Sequence, residues 1–228
     1  MNITIVDDLI LPFKILISPL RAFNYIAQKP GAKGLVSTSA LILAFAASTI
    51  YISATKIDLN IDGPTSFIVT DAFNGWFIFT LALTAFNILL YWLAFAFVLT
   101  LASKIVGGKE TSWRVLFVGF GYIPSVFIVL YAVRASTYLA LPSIYFEGLS
   151  SWPPVEEAQV DFVINRIMES WGPLFAYQLG TIFTLVAFVW LVILGAIAVR
   201  AFRECSWTKA TAVSVAGFFT AFVIFGLP

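Results

Sequence analysis

Residues 172–199 read GPLFAYQLGTIFTLVAFVWLVILGAIAV, a run without one Asp, Glu, Lys, Arg or His. A helix needs about 20 apolar residues to cross the ~30 Å hydrocarbon core of a bilayer, and this stretch exceeds that length. Four more long apolar stretches stand at residues 35–54, 76–103, 115–133 and 208–227, with Lys209 their one charged residue. The chain is 61% hydrophobic and 11% charged, against a charged share of roughly 25% in ordinary soluble domains. The expected fold class is therefore all-α. It is a polytopic membrane protein with five transmembrane helices, residues 35–228, preceded by a cytoplasmic interfacial segment at residues 1–34.

The charged residues sort by loop. Ten of the thirteen basic side chains fall on one side of this topology: Lys14, Arg21, Lys29, Lys33, Lys104, Lys109, Arg114, Arg200, Arg203 and Lys209. The other side holds Lys56, Arg134 and Arg166 together with Asp58, Asp62, Asp71, Glu147, Glu156, Glu157, Asp161 and Glu169. Lys and Arg remain cytoplasmic, which places the N-terminus inside and, after five crossings, the C-terminus outside. The localisation expected is a cell membrane, multi-pass, or an organelle membrane in a eukaryote.

Two amphipathic segments accompany the spans. Residues 5–28 read as helix on the cytoplasmic surface, divided at Pro12 and at Ser18-Pro19, with Lys14 and Arg21 near lipid phosphates. Pro153-Pro154, then Glu156 and Glu157, open an outer helix over about 154–170. Its Val160, Val163, Ile164, Ile167, Met168 and Trp171 recur at helical spacing. Trp76, Trp113, Trp171 and Trp207 each open a span, as an interfacial aromatic belt requires.

Two cytoplasmic turns read alike, Lys109-Glu110-Thr111-Ser112-Trp113 and Arg203-Glu204-Cys205-Ser206-Trp207. Each ends in a serine suited to capping the next helix. The reading is one span followed by two related hairpins that run in the same sense. Spans 2 and 4 exceed the bilayer core in length and are expected to tilt or protrude.

Chemistry is constrained by what is missing. The sequence has no histidine and one cysteine, Cys205. Cys/His zinc sites, His-ligated haem and Ser-His-Asp triads are thereby excluded. The expectation is no enzyme, no cofactor and no metal site. No ionisable residue occupies the middle third of a span, which argues against an ion-coupled pump. The candidate intramembrane polar seam is Asn87, Tyr122, Gln178 and Thr181. Its simplest role is hydrogen bonding between helices, worth ~0.6 to 2 kcal/mol in lipid. Gly119, Gly121 and Pro124 mark a kink in span 3, because proline removes a helix hydrogen bond and collides with the carbonyl four residues earlier. Small residues four apart (Ala40/Ala44, Gly180/Thr184, Ala210/Ser214, Gly217/Ala221) allow close helix approach.

Three parts of the chain, in order, resemble the Yip-domain family of Ypt/Rab-interacting membrane proteins. They are Ser18-Pro19-Leu20-Arg21-Ala22-Phe23, then Gly107-Gly108 through Ser112-Trp113-Arg114 to Tyr122-Ile123-Pro124, and Cys205-Ser206-Trp207-Thr208-Lys209-Ala210 before the last span. The resemblance implies five spans, no catalysis, and a place in membrane traffic or shaping. The sequence has no long N-terminal region with the Asp-Leu-Tyr-Gly-Pro-like motif of eukaryotic members. It looks like the short prokaryotic form, and a small GTPase is not the expected partner. The partners expected are the lipid bilayer, other membrane proteins or a second copy, and no nucleic acid. The leading expectation is a non-enzymatic protein of membrane organisation. Two alternatives stand beside it: a permease or channel for a small neutral solute, and an accessory subunit of a membrane enzyme complex.

Overall fold

Nine helices and one short strand pair make up the described residues of the computed structural model, which are 5–31, 33–59, 66–146 and 165–225. The first two helices are α1 (Ile5–Ile17) and α2 (Pro19–Gln28). Pro12 lies inside α1 without dividing it, so the break expected there is absent and only Ser18-Pro19 separates helices. Pro19 occupies the first turn of α2, where its missing N–H is no loss. The Ser18 hydroxyl makes no cap bond. Ala22, Phe23 and Ile26 of α2 are buried while Arg21, Asn24 and Gln28 are exposed.

The long apolar helices follow. They are α3 (Lys33–Thr55), α4 (Ser66–Ile105), and the pair α5 (Trp113–Phe120) and α6 (Val126–Leu139) joined by a 3₁₀ turn, Ile123–Ser125. Residues 165–171 are helical (α7), and α8 (Phe175–Arg203) and α9 (Trp207–Phe225) complete the chain. Among the described residues four helical stretches are long and apolar enough to cross a membrane: Leu35–Thr55, Trp113–Leu139, Phe175–Arg203 and Trp207–Ile224. In α4, Leu89–Ile105 forms a shorter apolar stretch.

Helix ends run past the sequence reading at Leu139 of α6 (expected 133) and Arg203 of α8 (expected 199), and two helix starts differ by three residues or more. α4 begins ten residues before the expected entry at 76, because Asp71, Asn74 and Gly75 end the apolar run without ending the helix. α8 begins at Phe175 rather than 172. The Gly172 N–H returns to the Met168 carbonyl at 2.8 Å and closes α7, and Pro173 keeps the next helix from joining it. Of the outer amphipathic helix, residues 154–164 lie outside the described residues.

By contact the described residues fall into two units, one drawn from 1–44, 84–129 and 185–228, the other from 45–83 and 130–184. In the first, Phe202 at the end of α8 is a hub. It meets Phe23 edge-on at 5.7 Å and Phe120 at 5.5 Å, and its ring lies against Gly119 where any Cβ would collide. The apolar face of α2 is thus turned onto protein. Ala210, Ser214, Gly217 and Ala221 form a buried stripe along α9. Ser214 donates to the Val192 carbonyl at 2.6 Å, and Gly217 leaves room for Leu99. Small residues let these helix backbones approach.

The second unit contains an element absent from the sequence reading. Strand β1 (Ile57–Leu59) pairs in parallel with β2 (Ile144–Phe146), Ile57 opposite Ile144. Three-residue strands are too short to show an alternating pattern. Leu141, Ile144 and Trp171 form a small core beside the pair. Trp171 is 3% exposed and donates its indole N–H to the Pro142 carbonyl at 3.0 Å. It is a core residue, not a belt residue as expected. Trp113 and Trp207 are exposed, as a belt requires. Thr49 bonds the carbonyls of Phe45 and Tyr131, and Gly180 lies against Thr137.

Candidate functional site

The segment Gly119-Phe120-Gly121-Tyr122-Ile123-Pro124 lies where α5 stops and α6 has not begun. Pro124 has no N–H to give the Phe120 carbonyl, and the chain tightens into bonds of shorter reach. The Tyr122 N–H bonds Gly119 O at 3.2 Å and the Ser125 N–H bonds Tyr122 O at 3.1 Å. Because Ser125 turns to Tyr122, the Gly121 carbonyl loses the helical partner it would otherwise have. Trp92 on α4 supplies another: its indole N–H donates to Gly121 O at 2.6 Å. Lipid offers no replacement for a lost backbone bond, so the indole is what makes the break tolerable. A Cβ on Gly121 would lie 2.9 Å from Leu35 Cδ2 and 3.1 Å from the Trp92 ring. A side chain here would require Leu35 and Trp92 to shift.

Beside the break is a groove of about 310 Å³ between α3, α4 and the 3₁₀ turn. Thr38, Ile42, Phe86, Leu89, Trp92 and Pro124 are among its walls, and nearly all of the surface is apolar. Tyr122 leans away from it toward the turn between α2 and α3, where its hydroxyl donates to Gly31 O at 2.9 Å. Two buried hydroxyls, those of Tyr91 and Ser125, have no hydrogen-bond partner among the described residues.

The four seam residues divide between the units. Asn87 and Tyr122 belong to the first, where Asn87 is exposed and Tyr122 buried. Gln178 and Thr181 belong to the second and are exposed on α8. The Gln178 amide donates to Gly172 O at 3.4 Å, and the Thr181 hydroxyl donates to Tyr177 O at 3.2 Å, within its own helix. The groove and its partner Trp92 were missed by sequence reasoning. A tryptophan one helix away from a proline kink was the available signal.

A second constellation brings the two similar turns together. The Lys109 N–H donates to Arg203 O at 2.7 Å, and Arg203 Nη1 donates back to Lys109 O at 2.6 Å, across 94 residues of sequence. Arg203 Nε adds a bond to Ser103 O at 3.1 Å, and the Thr111 hydroxyl one to Phe202 O at 2.6 Å. Gly108, at φ +114°, lies so close to the Arg203 carbonyl that no Cβ fits. Lys109 and Glu204 add an exposed ion pair at 2.6 Å. The serines cap as expected: Ser112 accepts from the Val115 N–H at 3.4 Å and Ser206 from Lys209 N–H at 3.5 Å. Lys104 lies over the Trp113 ring at 4.9 Å and Arg200 over Trp207 at 4.6 Å, so each turn repeats a cation on a tryptophan face. This clasp holds the ends of α4, α5, α8 and α9.

Apolar helices of bilayer length, a proline break sealed by a neighbouring indole, and a basic clasp define a polytopic helical membrane protein. The model of the Yip1 domain matches residues 13–227, nearly the whole chain, and the protein belongs to that family. No curated protein and no solved structure matches it.

Proposed function

We propose that this protein is a five-span, non-enzymatic member of its family that organises the bilayer and assembles with other membrane proteins. The observation that carries the span count is the β1–β2 pair. Ile57 at the end of α3 and Ile144 after α6 lie side by side, so α4 and the α5–α6 stretch leave from and return to one place. If Trp113–Leu139 crosses the bilayer, α4 must cross it in the opposite sense. Within the other unit, Phe23–Phe202 and Lys109–Arg203 tie α2, the α4–α5 turn and the α8–α9 turn together. The five crossings proposed are α3, α4, α5–α6, α8 and α9. The excess of Lys and Arg around the clasp assigns it to the cytoplasm.

The assembly reading is supported by exposed Ala40 and Ala44 on α3, a small pair open to a neighbouring helix, and by the family itself. In-membrane crosslinking from Ala40→Cys tests it. The account expects a discrete crosslinked species, with itself or with one partner. A persistent lone monomer contradicts it. The permease reading is favoured by the helix break at Pro124, and solute flux in reconstituted vesicles that is lost in both Asn87→Leu and Gln178→Leu, with insertion intact, would establish it instead.

A further inference from the structure

The groove beside Pro124 is a small apolar slot of about 310 Å³, open along one side. A water-filled route is a poor match, because the walls are apolar and water within them would find few polar partners. What borders these residues in a bilayer is acyl chain. Leu43, Phe86 and Leu89 at the groove are 37%, 56% and 45% exposed, so its side is open to that medium.

From Leu9 to Thr55 the sequence carries Lys14, Arg21, Lys29 and Lys33 and not one Asp or Glu. Arg21 and Lys29 are exposed on α2 and at its end. Lys33 opens α3 five residues before Thr38 and nine before Ile42, about 8–14 Å of helix rise. That places a cationic turn one headgroup's reach above an apolar slot. Cationic side chains at the interface attract anionic lipid. We infer that the groove formed by α3, α4 and the Gly121–Pro124 break is a binding site for one anionic phospholipid. One acyl chain lies along Ile42, Leu89 and Trp92, and the phosphate meets Lys29 at the α2–α3 turn.

The inference rests on the bilayer-spanning reading and adds to it a ligand. Native mass spectrometry tests it on the full chain, extracted in mild detergent and exposed to vesicles of phosphatidylglycerol or of phosphatidylcholine. The wild type should retain one phosphatidylglycerol in preference to phosphatidylcholine. Ser39 is another wall of the slot; Ser39→Phe, which fills it, should lose the lipid, while Val36→Phe, the same ring added at a position 72% exposed on the same helix, should keep it. Lys29→Gln should lose the headgroup preference but still hold a lipid. A second readout adds no bulk to the groove. Lipids brominated at mid-chain should quench part of the tryptophan fluorescence of the wild type, and that part should vanish in Trp92→Phe. Equal lipid retention in Ser39→Phe and wild type, unchanged quenching in Trp92→Phe, or a dimer that Ser39→Phe dissociates would each overturn the inference. Failure of every form to insert in membranes would sink the spanning reading instead.

Discussion

Trp92 carries more of this fold than its place in an apolar run implies. Its indole N–H is the partner of a carbonyl that the proline break released, and Trp92→Phe keeps an aromatic ring but removes that bond together with the five-membered half of the indole. An unsatisfied buried acceptor costs about 1–3 kcal/mol, and thermal unfolding in detergent should show that loss. No change in stability would mean the Gly121 carbonyl finds another partner. Glycine positions make a matched pair. Gly119→Ala drives a methyl into the Phe202 ring and should cost about 1–3 kcal/mol, whereas Gly31→Ala meets nothing within 4 Å and should be near neutral. The Ser125 hydroxyl is buried without a partner among the described residues. Ser125→Ala should be neutral or stabilising, since it removes a desolvated polar group. A marked loss of stability would show that this hydroxyl bonds something.

Among the elements, the clasp separates a buried interaction from an exposed one. Arg203 is 5% exposed and bonds two backbone carbonyls of the α4 end and the following turn. Arg203→Lys retains the charge but loses the planar fork. It should destabilise nearly as much as Arg203→Ala, by about 1–3 kcal/mol. Glu204→Ala removes only a pair whose side chains are 61% and 62% exposed, and such pairs are worth about 0–1 kcal/mol. Equal losses from Arg203→Lys and Glu204→Ala would place the clasp's strength in the ion pair. Hydropathy made the long helices legible, since composition alone decides which segments lipid accepts. The likeness of the two turns was legible too, because Lys-Glu-x-Ser-Trp and Arg-Glu-x-Ser-Trp can be compared by eye. That they touch was not, because an Arg–carbonyl bond between distant loops leaves no local pattern. The same applies to Ile57–Leu59 with Ile144–Phe146 and to Trp171, whose spacing fits a belt and a small core equally well. Pro12 misled because its position within a helix depends on what packs against it.

For the whole molecule, the span count, the sidedness and the lipid groove depend on one topology. The Lys and Arg bias supports its proposed sign, and the paired strands support the opposite senses proposed for α4 and α5–α6. Impermeant maleimide labelling of intact cells tests it most directly, in a Cys205→Ser background carrying single cysteines at Thr55, Glu110 or Ser143. All three positions are exposed at helix ends or turns. The account predicts that Thr55→Cys and Ser143→Cys label from outside, and that Glu110→Cys labels only after the membrane is permeabilised. Thr55→Cys and Glu110→Cys labelling from the same side would mean that α4 does not cross, and the proposed five-span topology would be wrong.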